Sequence, residues 1–277
     1  MHGLGDNIYQ RGFIKNIAAE VYLETPWPQI YQGLDHVKFV RPNTKLRTQS
    51  KNIQKKDLDI AWESIDQNVI AKRIHYGRPR GFRGIVKEMS DCFDIIPTTF
   101  DLPDFLFEYK WIQDLGEFAL IRPVTERKEW FNSARNPKPE YIDKSVEMLK
   151  DMGIKIISIA DLKLNEEWIV GAEPYADQKF HSGELGIKEL LALVQAAKYT
   201  IGGVGWIVPA SLCYNNRAWI VLGGHGMFNS PEAIMYHQPN RVQFAMPDHY
   251  CRCNDMKHAC NKEISNYEHK FSTWLRQ

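Results

Sequence analysis

Long apolar runs are missing from this chain. No stretch of eighteen consecutive apolar residues occurs, so no segment qualifies as a membrane-spanning helix, and residues 1–20 lack the basic start and apolar middle of a secretory leader. Strong charge of either sign is missing too. The formal net charge is +1 over 277 residues, so bulk attraction to a polyanion does not account for the protein, although a local basic face is compatible with it. Cysteine is scarce: there are five, an odd number, three of them close together near the C-terminus. That suits reduced thiols or a metal better than a secreted disulfide framework. Fixed-period repeats and low-complexity tracts are absent as well. A cytoplasmic globular protein is the expectation, with 44% apolar residues and enough chain for one large or two ordinary domains that need no disulfide staples.

What is present alternates between helix and strand signals. "NIYQRGFIKNIAAE" places Ile8, Phe13, Ile14, Ile17 and Ala18 roughly on one helical face. "VYLET" and "VKFVRP" then read as short strands, with "AKRIHYG" as a further candidate. A crossover between domains is expected over 101–116, after which "EFALIRPV" is a strong strand signal. A second series follows: a helix over 141–152 ended by Gly153, the strand "IKIISIAD", the helix "GIKELLALVQAAK", the strand "YTIGG", the helix "VPASLCYNN" and the strand "AWIVLGG". This order is Rossmann-like and doubly wound. A polar, Cys- and His-rich loop, "MPDHYCRCNDMKHACNKEI", precedes a closing helix "YEHKFSTWL", and this tail is expected to return to the first domain.

Three stretches carry chemistry. Gly3-Leu4-Gly5-Asp6 feeds a helix N-terminus, where unpaired N–H groups and the helix dipole suit an anion or a carbohydrate oxygen. Asp6 there is either an N-cap or a general base facing a cleft. "LIRPVTERKEW" follows a strand end and gathers Arg122, Thr125, Arg127 and Lys128; in an open α/β sheet such a loop is either a solvated turn or a phosphate site. "IGGVGW" sets Gly202, Gly203 and Gly205 between a strand and a helix, as a tight packing turn or a cradle for a diphosphate.

Together these stretches resemble the ADP-heptose:lipopolysaccharide heptosyltransferase-like glycosyltransferases of the GT-B fold. In that family an N-terminal G-x-G-D turn carries the catalytic aspartate, matched by Asp6, and a phosphate loop contains K-x-W, matched by Lys128 and Trp130. The later D-T-G-x-x-H turn corresponds to the stretch around Gly203, where Gly203, Val204 and Val208 replace its Asp, Thr and His. A family acid that contacts the donor ribose corresponds to Glu166 or Glu167. The resemblance implies an α/β protein with two Rossmann-like domains facing a cleft, the N-terminal one trimmed of its first strand. Residues 1–117 would form the acceptor side, 118–240 the nucleotide-sugar side, and 241–277 the Cys/His-rich tail and closing helix.

The implied activity is inverting, metal-independent transfer of a sugar from a nucleotide-sugar to a hydroxyl of an anionic acceptor, by the family's default a glycan; modified phage-type DNA is the rival that the basic middle segment permits. Asp6 is the base. Arg122, Thr125, Lys128, Gly202, Gly203 and Gly205 hold the donor, and Gly3, Gly5, Arg11, Arg47 and Lys51 lie on the acceptor side. The alternative is a non-catalytic sugar-nucleotide or nucleic-acid binding protein that keeps the fold without the D-T-G-x-x-H side chains.

Two features stand outside that scheme. His249, Cys251, Cys253, His258 and Cys260 suit a structural zinc ion, or else are free structural thiols. Arg41, Lys45, Arg47, Lys51, Lys55 and Lys56 form a run without an acid. That run reads as a solvated face or as a groove for a polyanion, with Tyr76 and Phe82 placed to stack on a base.

Overall fold

The computed structural model describes residues 3–55, 58, 60–65, 69–75, 82–235 and 241–277. Helix α1 (Leu4–Ile14) leads into β1 (Val21–Glu24) and β2 (Val37–Val40), followed by α2 (Arg47–Ile53), β3 (Trp62–Glu63), α3 (Ile85–Phe93) and α4 (Lys110–Gln113). The first three strands make a parallel sheet in the order β1-β2-β3. The helix stops at Ile14, short of Ile17 and Ala18, and Asn16 turns its side-chain amide back to the Gly12 carbonyl at 2.7 Å. The strand expected at "AKRIHYG" is not there among its described residues, 71–75; Trp62–Glu63 supplies the third strand instead. Tyr76 and Lys56 lie outside the described residues.

The second series begins with β4 (Phe118–Ile121) and β5 (Thr125–Arg127), then α5 (Pro139–Asp151), β6 (Lys155–Ile159), β7 (Glu167–Ile169) and β8 (Gln178–Phe180). It continues through α6 (Ile187–Ala196), β9 (Tyr199–Gly203), α7 (Ile207–Cys213), β10 (Ala218–Val221), α8 (Gly226–Asn229), α9 (Pro231–Ile234), β11 (Val242–Ala245) and α10 (Tyr267–Leu275). Six strands form one parallel sheet in the order β11-β10-β9-β4-β6-β8. Counted along the chain, that is the doubly wound order, with its reversal point between β4 and β9. Every residue of β4 and of β10 is buried, as expected of parallel strands covered on both faces.

Two packed layers cover this sheet. On one face α5 and α10 meet a cluster containing Tyr141, Leu149, Trp219, Tyr267, Phe271 and Trp274. The Tyr267 hydroxyl hydrogen-bonds Ser145 Oγ at 2.6 Å and accepts from Trp219 Nε1 at 3.0 Å. The closing helix therefore returns to the second sheet, not to the first domain. Its aromatic stripe finds there the open apolar face between α5 and β11.

On the other face α6 and α7 join a larger core that runs on without a break into the first half, through Ile8, Phe13, Ile30 and Met89. Phe13 stacks on Phe93 with ring centres 5.0 Å apart. Helix α1 lies directly on α7. A side chain at Gly5 would sit only 3.3 Å from the Trp206 Cα, so the two helices approach this closely because Gly5 has none.

Candidate functional site

A cavity of about 1730 Å³ opens between the two halves of the chain. Gly3, Gly5 and Asp6 from the start of α1 line it, as do Arg122, Thr125 and Gly205 from the second half and Lys51 from α2.

Asp6 is not an N-cap. Gly3 holds that position, and Asp6 is the third residue of the helix. Its carboxylate folds over Gly3, where any Cβ would collide with Asp6 Oδ2. The turn is held by Asn7, which is fully buried. Its amide donates to the Gly3 carbonyl at 2.8 Å, and its oxygen accepts from Thr25 Oγ1 at 2.7 Å and from the Tyr31 hydroxyl at 3.0 Å. Burial raises the pKa of Tyr31, which keeps the phenol neutral and able to donate. A carboxylate in the first turn interacts favourably with the positive end of the helix dipole.

From the second half of the chain, the reversal point of the sheet brings Arg122, one residue past β4, against the glycine turn after β9. The Arg122 N–H donates to the Ile201 carbonyl at 2.9 Å. Its Nη1 lies 2.9 Å from where a Gly205 side chain would begin. Burial lowers the Arg122 pKa, nearby Arg127 lowers it further, and Glu167 acts the other way. No ion pair or hydrogen bond engages its guanidinium among the described residues. A half-buried cation with no direct partner gains from an anion brought by a ligand.

The loop "TERKEW" is partly a strand: β5 pairs antiparallel with β7, with Thr125 opposite Ile169 and Arg127 opposite Glu167. Alternation along a strand puts Thr125 and Arg127 on the cavity side and Glu126 on the other. Lys128 falls out of phase with them. It is exposed and does not line the cavity, whereas Arg127 and Trp130 do. Gly202 lies within β9, buried against Arg122 and Ile207, and Gly203 borders a small adjoining pocket shared with Arg122 and Thr125.

Two residues expected on the acceptor side have other tasks. Arg11 is buried, donates from Nη1 to the Ile30 and Gln32 carbonyls at 2.9 and 3.1 Å, and sits 3.7 Å from Asp101; it braces α1 and does not line the cavity. Arg47 reaches across to the second half. Its Nη1 pairs with Asp161 Oδ1 at 2.9 Å and its Nη2 with Glu167 Oε2 at 2.7 Å, and Nη2 also donates to the Asp161 carbonyl at 2.6 Å. Burial opposes the Arg47 charge, but Asp161 and Glu167 outweigh it and raise its pKa. Lys51 joins Asp161 at 3.2 Å. The acid-free run thus finds its counter-charges in the other half of the chain. At Arg47 and Lys51 it is neither a solvated face nor an open polyanion groove.

The cavity has a further wall that the motifs did not reveal. His225 follows β10 in a left-handed conformation, φ 54°. Its Nδ1 accepts from the amides of Asn132 and Asn229 at 3.1 and 3.0 Å, and its Nε2 faces the Asn254 carbonyl at 3.2 Å. A carbonyl only accepts, so Nε2 carries the proton and the ring is neutral. Burial lowers its pKa accordingly. The signal for this wall was a histidine between glycines, "GGHG", at the carboxyl end of a buried parallel strand.

In the tail, Cys251, Cys253, His258 and Cys260 bring their ligand atoms within 4.8 Å of one another, and His249 lies outside this group. Three edges are 3.3 Å (His258 to Cys260), 3.5 Å (Cys251 to His258) and 3.5 Å (Cys253 to Cys260). A tetrahedron with metal–sulfur bonds of about 2.3 Å has edges near ~3.7 Å, so three thiolates and one imidazole converge at a spacing one ion can fill.

The sequence matches no protein-family model and no curated protein. Solved structures do match. TibC, an iron-containing dodecameric glycosyltransferase from enterotoxigenic E. coli, superposes with a TM-score of 0.61 at 11% identity, covering 99% of this chain and 75% of that one. A glycosyl transferase family 9 protein from Veillonella parvula gives 0.57 at 9%, covering 100% and 94%. The E. coli ADP-heptose lipopolysaccharide heptosyltransferase II gives 0.54 at 8%, covering 100% and 98%. The chain has a heptosyltransferase-like fold. Within that fold, Asp6 and Arg122 face one cavity from opposite halves of the chain, and no described helix is long and apolar enough to cross a membrane.

Proposed function

We propose that the protein is a glycosyltransferase that moves a sugar from a nucleotide-sugar to a hydroxyl of an anionic glycan, with inversion. The observation that carries this reading is the placement of a half-buried carboxylate, Asp6, and an unengaged guanidinium, Arg122, on the walls of one cavity at the reversal point of the sheet. Asp6 takes the proton of the attacking hydroxyl. Arg122, with Arg127 beside it, takes up the charge that develops on the departing diphosphate. Gly205 leaves room for the Arg122 side chain and for phosphate oxygens near the backbone.

The similar TibC structure was determined in complex with an ADP-heptose (TM-score 0.62, 13% identity), which supports a nucleotide-sugar in the cavity of this chain. Lys55, Lys72 and Arg73 also line the cavity and favour an anionic acceptor. A glycan is preferred over DNA, because Arg47 and Lys51, which a phosphate backbone would recruit, are already engaged with Asp161 and Glu167. Residues 1–117 and 118–240 then present acceptor and donor respectively.

The Cys251, Cys253, His258 and Cys260 set fits one zinc or iron ion. A closed four-ligand site of this kind supplies cross-linking to the loop and takes no part in the transfer.

The test is nucleotide release from a panel of nucleotide-sugars with and without glycan acceptors. Release from one donor supports transfer; tight binding without any release would instead make the protein a non-catalytic binder. Arg122→Ala should weaken nucleoside diphosphate binding about ten- to hundredfold in calorimetry, the loss of roughly 1.5–3 kcal/mol expected for a hydrogen bond to a charged group. Gly205→Ala pushes only the flexible end of Arg122 aside. It should weaken binding several-fold with an unchanged melting temperature.

A further inference from the structure

The loop that carries the tail cysteines does not hang free; it is stitched to the cavity wall. The Gly226 N–H donates to the Cys251 carbonyl at 2.9 Å and the Met227 N–H to the Cys253 carbonyl at 3.3 Å. The Ala134 N–H donates to the Met256 carbonyl at 2.9 Å, and the Gly224 N–H to the Ala134 carbonyl at 2.7 Å. His225 Nε2 donates to the Asn254 carbonyl, and the His225 main-chain N–H points at the Cys260 sulfur. Gly224 packs so tightly on that sulfur that a Cβ there would collide with it. Apart from the Gly224–Ala134 bond, which ties the two wall segments to each other, these contacts join residues 251–260 to one of two segments, 132–135 and 223–229. Those two segments supply Asn132, Arg135, His225, Phe228 and Asn229 to the cavity, and Met256 enters it from the loop itself.

We propose that a metal ion held by Cys251, Cys253, His258 and Cys260 sets the shape of the nucleotide-binding wall, so that metal occupancy and nucleotide affinity are coupled through the segments 132–135 and 223–229. This rests on the reading of the cavity as a nucleotide site. Without the ion, only the hydrogen bonds among them hold the three thiols and the imidazole together. Residues 251–265 contain no strand or helix of their own, so the loop depends on these contacts and on those to the wall. When the loop relaxes, the carbonyls of Cys251, Cys253, Asn254 and Met256 leave their donors, and the His225 ring loses the partner that fixes its tautomer. The coupling runs both ways: whatever factor the ion adds to nucleotide affinity, the nucleotide adds to ion affinity.

The experiment uses the full chain. Its metal content is measured by elemental analysis, the ion is stripped with a chelator, and zinc or ferrous ion is added back. Two readouts are taken at each stage, ADP affinity by calorimetry and amide hydrogen exchange along the chain. The expected results are about one ion per chain, an ADP affinity at least tenfold lower after stripping, and faster exchange confined to 132–135, 223–229 and 251–260. Add-back should restore both, and ADP should slow the loss of the ion. Cys251→Ser, which keeps three ligands, should give the same pattern more weakly if stripping unfolds the chain.

A chain that neither carries nor takes up an ion overturns the proposal, as does a stripped protein whose exchange at 132–135 and 223–229 is unchanged. If the loaded protein binds no ADP, the nucleotide reading loses its support, while the exchange measurement still decides whether the ion orders the wall. Exchange that rises over the whole chain would reduce the ion to a general staple and likewise overturn the coupling.

Discussion

Asp6→Asn should lower the rate of sugar transfer about 10²–10⁴-fold, the range removed when a positioned general base is lost, while nucleotide affinity changes less than twofold. The separation follows from role: Asp6 stands on α1, while Arg122 and Gly205 belong to the second half of the chain, so the donor contacts proposed for them do not depend on the Asp6 carboxylate. Asparagine keeps the size and the hydrogen-bonding reach of aspartate and leaves Gly3 uncrowded. The melting temperature should therefore stay within a few degrees, less only the small interaction of a charge with the helix dipole. Initial rates with saturating donor, together with calorimetry on the same preparation, check it. Unimpaired transfer would remove Asp6 from the chemistry; loss of affinity in step with rate would make it a binding residue.

The second large effect is on stability. Glu167 is 4% exposed and faces Arg47 Nη2 at 2.7 Å, with Arg127 3.7 Å away and Thr125 Oγ1 at 3.3 Å. Arg47→Ala leaves a buried carboxylate short of its nearest counter-charge, and breaking one side of such a pair costs about 3–5 kcal/mol. For a chain of this size that corresponds to a fall of roughly 10 °C in melting temperature. Removing both partners should cost less than removing one. Arg47→Met with Glu167→Leu should recover much of the loss, because a buried pair is often replaceable by apolar groups of similar volume. Thermal melts of the two single variants and the double variant decide it. An Arg47→Ala protein that melts with wild type would mean the pair contributes nothing. Because the pair is buried, raising salt should not mimic the substitution.

Much of the scaffold was legible in the sequence. "FALI", "KIISI" and "AWIV" are short continuous apolar runs, the mark of strands covered on both faces, and the helices between them keep a 3.6-residue period. The doubly wound order could be read from that alternation. The ribbon of β5 and β7 could not, because "TER" and "EWI" are three-residue strands whose pairing is fixed by the chain between them and not by their own pattern. Missing that ribbon is what placed Lys128 beside Arg122; one residue of alternation decides which side chain faces the cavity. "AKRIHYG" failed for the opposite reason, a strand-like composition with no neighbour to pair with among the described residues.

Of the residues singled out from turns and strand ends, Asp6, Arg122, Thr125 and Gly205 line the cavity. Arg47 was misjudged because its partners lie 114 and 120 residues away, and a charge run shows nothing of the acids that the fold brings to it. Arg11 was expected on the acceptor side and is a brace within the first half. The His225 wall was overlooked because its partners, Asn132, Asn229 and Asn254, come from three separate loops. Four of the five Cys and His residues in the loop before the closing helix converge as their composition suggested, and His249 stays apart.

The uninterrupted core beneath α1 bears on how the chain can be divided. Ile8 and Phe13 belong to the same buried cluster as Phe118, Leu120 and Ile207, and Gly5 lets α1 rest on the start of α7. Cutting the gene near residue 117 would give two products, each presenting raw apolar surface where the other belongs. Neither half should be recoverable as a soluble monomer when made alone, and co-expression should rescue both as a complex. A chain built this way cannot exchange its first half for another by simple recombination, since the surface that would be swapped is also the one that holds the second half upright.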